Sequence, residues 1–314
     1  MTVMTLAKGL ATWIPGVHRA FNDLKAGTGT GAASYCYGVW LKHLTLLSAH
    51  GMRDMPRTVV ELGPGSSIGT GLAALLSGAE RYVGIDAVAH ATPDANLAVF
   101  RELCRMFERR APRPTAGFPS FDQYLDANLF PSAILTPERL HASLAPERLN
   151  KLQEAVVALS SPSPHPAIRY HTWNDRNGLG EAQVDLLFSH VVMNEIEDLE
   201  PMYERCARWL RPGAWMSHHI DFSSLDTTPE WNGHRRYGEL TWRLIAGNRP
   251  YFVNRETVDT HLGIMERKGF QVVEVIRARG KGGLTREEHA PRWRSRTDED
   301  LTTRSAFVIA RRKG

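Results

Sequence analysis

The stretch Val59-Val60-Glu61-Leu62-Gly63-Pro64-Gly65-Ser66-Ser67-Ile68-Gly69 constrains the fold more than any other part of this 314-residue chain. An unbroken apolar run ends at an acid, breaks at glycines two residues apart, and leads into IGTGLAALL, which stops at Ser77-Gly78. An apolar run without alternation is the mark of a strand buried on both faces, and parallel strands need a crossover that is usually a helix. With RYVGID following, residues 57–90 are predicted to form a βαβ unit and so to seed a parallel sheet with helices on its faces. The glycine turn then falls at the carboxyl edge of that sheet, where ligands approach the backbone and a helix offers free N–H groups.

The rest of the chain is organised around this unit. Residues 1–56 are predicted to form an N-terminal helical cap, because Tyr35, Val39, Trp40, Leu44 and Leu47 recur at helical spacing after a Gly/Thr-rich stretch at 26–31. Residues 91–166 interrupt the strand-helix alternation with helix-forming, Pro-containing sequence, and are expected to be a helical insertion or lid ending in the linker 160–166. Alternation resumes with strands at 167–173 and 184–190. The segment DLEPMYERCARWLRPG places Leu199, Met202, Tyr203, Cys206, Trp209 and Leu210 on one helical face, with Pro212-Gly213 as the expected stop. Then come the strand AWMSHHID, a Trp-rich segment to about 255, a helix near 256–268, and the strands FQVVEV and SAFVIAR. The fold class is α/β, a Rossmann-like doubly wound sheet, with 57–90 and 167–314 as its core.

Composition removes other classes. With 42% hydrophobic and 23% charged residues, a mean hydropathy of −0.31 and no apolar run of membrane length, the chain is neither disordered, nor collagen-like, nor helically membrane-spanning. A net charge of +4 lacks the concentration of a nucleic-acid clamp, so no nucleic acid partner is expected. Cys36, Cys104 and Cys206 stand far apart, without disulfide or zinc-ligand spacing, so a reducing compartment follows. Trp13 and Pro15 argue against a signal peptide, which makes the cytoplasm the expected location.

The chemistry of the turn narrows the ligand. A dinucleotide fingerprint needs glycine at position 68, where Ile68 stands, and the GK[ST] of a P-loop is missing. What is left, Glu61-x-Gly63-x-Gly65-x-Ser67, resembles motif I (E/D-x-G-x-G-x-G) of the class I S-adenosylmethionine-dependent methyltransferases, with a serine for the third glycine. A carboxylate at a buried strand end is costly unless it meets a cation or N–H donors, and the cofactor's methionine amine would supply both. The plainer alternative is a tight turn with Glu61 hydrogen-bonded to nearby amides. Asp86 ends the second strand, 21 residues after Gly65, where a carboxylate can accept both ribose hydroxyls of an adenosine.

Further assignments follow from the resemblance. Trp173 and Asn174 fall where family members surround the adenine, unless Trp173 is simply a core residue of a turn, and Ser189, near the end of the fourth strand, joins the expected cofactor set. The resemblance also implies that the last strand is antiparallel, and it extends over VDLLFSHVVMNEIEDLEPMYERCARWLRPGAWM. Many relatives carry a Glu-His pair after the fourth strand. Here Met193-Asn194-Glu195-Ile196 stands in that place, so no role transfers.

Methyl transfer from a sulfonium is an in-line displacement, so alignment matters most and a base is needed only where the nucleophile carries a proton. His219, oriented by Asp221, is the first choice for that base, followed by His190 and Glu195, while His218 points to the opposite face of its strand. His-x-Asp is also a metal-ligand spacing, but no metal is expected. Trp231, His234, Arg235, Tyr237, Trp242, Arg249, Tyr251, Asn254 and Arg255 mix aromatic faces and guanidinium forks suited to sugars or anions. The segments HIDFSS, WNGH, NRPYFVNRE and SYCYGVWLKHL are similar to bacterial methyltransferases associated with surface-polysaccharide gene sets, which implies a sugar hydroxyl or glycan as acceptor. A small metabolite methylated on oxygen or nitrogen is the second reading. From other classes, a nicotinamide-linked oxidoreductase and a non-catalytic binding module use the same architecture.

Overall fold

The computed structural model of the protein describes residues 3–13, 29–87, 92–114, 117–120, 124–125, 129–161, 165–173, 179–225, 227–249 and 252–314. Its strands are β1 (Thr58–Leu62), β2 (Arg81–Asp86), β3 (Ile168–Thr172), β4 (Val184–His190), β5 (Leu210–Asp221), β6 (Phe270–Arg279) and β7 (Thr303–Arg312). They form one sheet in the order β3-β2-β1-β4-β5-β7-β6. β1 pairs in parallel with β2 and β4, and β2 with β3.

β7 runs against β5. The Phe222 N–H, just past the end of β5, donates to the Arg304 carbonyl near the start of β7, while Arg311 near the end of β7 donates to Gly213 near the start of β5. The sheet is thus mostly parallel with an antiparallel last strand, and its order reverses between β1 and β4, the switch point at which open α/β sheets bind ligands.

Ten α-helices accompany the strands among the described residues: α1 (Val3–Ala11), α2 (Ala33–Ala49), α3 (Gly69–Leu76), α4 (Pro93–Glu108), α5 (Pro137–Ser143), α6 (Pro146–Val157), α7 (Leu199–Trp209), α8 (Glu239–Ala246), α9 (Val258–Arg267) and α10 (Asp298–Thr302). None is long and apolar enough to cross a membrane. The sequence reading stops the seventh helix at Pro212-Gly213, and the structure corrects this. α7 ends at Trp209 and β5 begins at the next residue, with Gly213 (φ +78°) inside the strand. The amides of Ala182 and Gln183 take the carbonyls of Arg208 and Trp209, so an incoming backbone, not the proline, closes the helix.

The chain divides into two compact units. The larger comprises Gly27–His190, Cys206–Ser217 and Ile309–Gly314. In it β1 is buried at every position, Thr58 and Glu61 included, and α2 is buried around most of its circumference, with Trp40 donating to Ser77 Oγ at 2.7 Å. α3 opens with two glycines, Gly69 and Gly71, for a steric reason. A Cβ at Gly69 would lie 2.5 Å from Cys36 Sγ, and one at Gly71 would lie 2.0 Å from the Tyr82 ring. The 91–166 region contributes α4, α5 and α6, and α4 turns Val99, Phe100, Leu103 and Phe107 inward. Arg148 of α6 donates to the Leu75 and Ala79 carbonyls at the end of α3, satisfying groups that a helix terminus leaves open.

The smaller unit comprises Met1–Ala26, Val191–Arg205 and His218–Val308. α1 and α8 pack backbone to backbone, since a Cβ at Gly9 would lie 2.2 Å from the Leu244 carbonyl oxygen. Trp242, Ile245 and Val253 form one core cluster, and Ala290, Trp293 and Leu301 another. The Arg255 guanidinium lies 4.9 Å from the ring centroids of both Trp242 and Trp293, stacked on the two indoles.

Candidate functional site

The glycine turn takes the form its sequence demands. Gly63 (φ +67°) and Gly65 (φ +73°) both occupy the left-handed region, where a side chain would be strained. Gly63 N–H donates to the Ile85 carbonyl, and Gly65 N–H donates to Asp86 Oδ2 at 2.9 Å, so the end of β2 fixes the turn that follows β1. The second Asp86 oxygen accepts the Ala87 N–H. Trp173, directly after β3, donates its N–H to the Asp86 carbonyl at 3.0 Å, which brings two of the predicted adenosine-binding residues together. Asn174 lies outside the described residues. Ser189 of β4 is paired in register with Leu62, the residue before the turn.

Glu61 sits in the strand rather than at its mouth. It is 4% exposed, is paired with Gly84 and Phe188 on the neighbouring strands, and accepts a hydrogen bond from the Tyr82 hydroxyl at 2.6 Å. Gly84 makes room for this contact, because a Cβ there would lie 2.9 Å from the Tyr82 oxygen. Burial pushes the Glu61 carboxyl up to about 8, against the pull of Tyr82, Thr70 and the Gly71 amide toward the charged form. Tyr35 of α2 lies within electrostatic reach of this acid. Its own hydroxyl is pushed up to about 12, by burial first, then by Cys36 and Glu61.

Ser67, the departure from the third motif glycine, is 1% exposed and its hydroxyl has an internal use. It donates to the Thr30 carbonyl and accepts the Gly69 N–H at 3.1 Å. Thr30 Oγ1 in turn accepts the Ser66 N–H at 3.0 Å and pairs with Ser66 Oγ at 2.7 Å, while the Cys36 thiol donates to the Thr30 carbonyl. Thr30, three residues before α2, is thereby seated on the glycine turn. At the start of α3, the Ile68 N–H is taken by Asn96 Oδ1. Sequence reasoning missed Thr30, Tyr35, Tyr82 and Asn96. Only the first had a visible signal, a second glycine-rich run 33 residues before Gly63.

The residues proposed as bases fall into both units. In the larger unit, His190 ends β4 with its ring edge-on to Tyr35 and His43, at centroid distances of 6.1 and 5.7 Å. His43, absent from the sequence reading, shares a hydrogen bond with Ser217 Oγ through Nδ1. In the smaller unit, His219 stacks on Phe307 at 6.3 Å and accepts the Val191 N–H at its carbonyl. Asp221 accepts the Ser223 N–H at 2.8 Å, an Asx turn at the strand end. Glu195 N–H donates to the Val192 carbonyl in the loop after β4. His218 faces the other way, against Tyr203. Burial and the nearby His261 push its imidazole down to about 3, which suits a neutral core residue. Among the described residues, no group of three or more His, Cys, Asp or Glu side chains could hold a metal.

No protein-family model matches the chain, and no curated protein matches it. Similar solved structures include an S-adenosylmethionine-dependent methyltransferase from Mesorhizobium loti, 15% identical, covering 85% of this chain and 95% of that one at a TM-score of 0.38. Another, from Methanosarcina mazei, is 10% identical over 85% of this chain and 97% of its own, with a TM-score of 0.43. Phosphoethanolamine N-methyltransferase 2 from Haemonchus contortus, solved with S-adenosyl-L-methionine, is 14% identical over 88% of this chain and 53% of its own, with a TM-score of 0.42. Likenesses this distant leave the function to be read from the residues of this chain.

Proposed function

We propose that the protein is an S-adenosylmethionine-dependent methyltransferase. The supporting observation is the double left-handed turn Gly63-Pro64-Gly65, held by Asp86 beside the switch point of a sheet ordered β3-β2-β1-β4-β5-β7-β6. The residues present fit the cofactor in three respects. Two glycines leave the backbone bare where a ligand's tail would pass, Asp86 sets a carboxylate beside that turn at the end of β2, and Glu61 is a buried acid whose ionisation an amine cation would favour. Trp173, whose backbone N–H donates to the Asp86 carbonyl, is the aromatic residue proposed to meet the adenine. When bound, the cofactor supplies a methyl group on a sulfonium. The chain's own part is to hold the ends of the cofactor, align the acceptor and keep water out.

The acceptor in this reading is a small polar molecule, with a sugar or other hydroxyl as the finer assignment. Arg235, Trp242 and Arg255, read from the sequence as suited to sugars, are buried in the smaller unit's interior, so the sugar assignment is supported by the likeness of the segments HIDFSS, WNGH, NRPYFVNRE and SYCYGVWLKHL to enzymes associated with surface-polysaccharide gene sets. His219 with Asp221 is the proposed general base, ahead of His190 and Glu195. Thermal stabilisation by S-adenosylhomocysteine and not by NAD is the expected result. Stabilisation by NAD alone would replace this reading with a nicotinamide-linked one. Transfer of labelled methyl to a panel of nucleotide sugars, lipid-linked glycans and small phenols then identifies the acceptor and separates an enzyme from a binding module.

A further inference from the structure

Within the smaller unit, the loop after β4 carries a buried side chain that the fold does not use. Asn194 is 1% exposed, and among the described residues neither its Oδ1 nor its Nδ2 has a hydrogen-bond partner. A buried primary amide offers two donors and an acceptor, and leaving all of them unmade is among the costlier arrangements a protein interior can hold.

The loop around Asn194 is closely fixed. Val191 adopts a left-handed conformation (φ +58°), unusual for a β-branched residue, and donates its N–H to the His219 carbonyl at 2.8 Å. Asn254 clamps the same loop. Its Nδ2 donates to the Met193 and Ile196 carbonyls, both at 2.8 Å, and its backbone N–H donates to the Asn194 carbonyl at 2.8 Å. Its Oδ1 accepts the Glu256 N–H at 2.9 Å. The two asparagines therefore contrast: both polar atoms of the Asn254 side chain are occupied in holding the loop, and both of Asn194 are unoccupied within it.

We infer that Asn194 is an acceptor-binding residue, its amide hydrogen-bonding a hydroxyl-bearing, uncharged part of the methyl acceptor through Nδ2 and Oδ1 together. A hydroxyl both donates and accepts, which matches the two unpaired ends of the amide. A phosphate or carboxylate only accepts and would leave Oδ1 facing an anion. This inference rests on the methyltransferase reading and specifies the acceptor within it. It also gives a reason for the clamp, since a site residue must be held by its neighbours before the ligand arrives.

Two substitutions test it. Asn194→Leu keeps the size of the side chain and removes its unpaired polar atoms, so the ligand-free protein should melt above wild type, by about 2–4 °C for each tenfold or so of stability gained. S-adenosylhomocysteine affinity, read by calorimetry, should stay within about twofold. Transfer of labelled methyl to the acceptor found with the panel should fall by at least about 10²-fold in Asn194→Leu and in Asn194→Asp. A lower melting temperature in Asn194→Leu would show that the amide serves the fold, directly or through a buried water, and would overturn the inference whether or not an acceptor is known. A higher melting temperature with unchanged methyl transfer would overturn it as well. Failure of wild-type protein to bind S-adenosylhomocysteine would instead remove the methyltransferase reading itself.

Discussion

The Tyr82 hydroxyl donates to Glu61 Oε2 at 2.6 Å inside the sheet, and the Tyr82 ring reaches that position because α3 carries glycine at position 71. The acid of the glycine motif is thus satisfied within the protein before any ligand is considered. Its titration gives the first prediction. Burial raises the folded-state value from the ordinary 4.5 to about 8, so the native state holds a proton that the unfolded state releases. The stability this confers is complete below pH 4.5 and is lost as pH rises toward 8, at up to about 1.4 kcal/mol per pH unit. Glu61→Gln should flatten that slope and overtake wild type in stability above pH 8. Urea unfolding at several pH values checks this, and parallel slopes in the two proteins would refute the assignment.

Proton release should accompany cofactor binding. If an amine cation ionises Glu61, then between pH 5 and 8 the affinity for S-adenosylhomocysteine strengthens with pH, by at most tenfold per unit, and calorimetry in buffers of different ionisation enthalpy reports up to about one proton released. Glu61→Gln should abolish the release. Release of equal size in that variant would place its source elsewhere.

Asp86→Ala should weaken S-adenosylhomocysteine binding by about 10- to 100-fold, because hydrogen bonds to a charged acceptor contribute about 1.5–3 kcal/mol. Part of the loss comes from the turn itself, since the Gly65 N–H loses its partner. Asp86→Asn keeps an oxygen for that N–H and should fall between the two. Unchanged affinity in both variants, with the fold intact by circular dichroism, would exclude Asp86 from the site.

The adjacent histidines of β5 should separate cleanly. His218→Ala removes a buried ring packed on Tyr203 and should destabilise the protein by about 2–4 kcal/mol. His219→Ala should leave S-adenosylhomocysteine affinity nearly unchanged and, if His219 is the general base, lower kcat by about 10²–10⁴-fold. Near-normal turnover would move the base to His190 or Glu195, and the same assay on those variants would choose between them.

Gly71→Ala tests the packing that seats Tyr82. A Cβ there would lie 2.0 Å from the ring, so helix propensity should be outweighed by overpacking, with a net loss of about 1–3 kcal/mol. A gain in melting temperature would mean that the tyrosine can move aside at no cost.

Much of the architecture is legible along the chain because it is local. The unbroken apolar run of β1, the paired glycines and the acid ending β2 suffice to predict a βαβ unit, and Gly63, Gly65 and Asp86 come together as a turn pinned by a carboxylate. What the sequence hides is long-range. Nothing near Ser67 reveals that its hydroxyl is committed to Thr30, 37 residues away, and nothing near Glu61 reveals the phenol of Tyr82. The end of α7 departs from its local sequence signal for a related reason. Pro212-Gly213 is a sound local stop signal, but the amides of Ala182 and Gln183, distant in sequence, end the helix first.

The direct passage from Trp209 of α7 into Leu210 of β5 leaves the chain no slack between two buried elements. A residue added there would either rotate the apolar face of the helix by about 100° or flip the alternation of the strand that carries His218 and His219. Changes in chain length among proteins descended from the same ancestor should therefore be filtered out at this junction, and an engineer seeking a place for a peptide tag or a split point should avoid it.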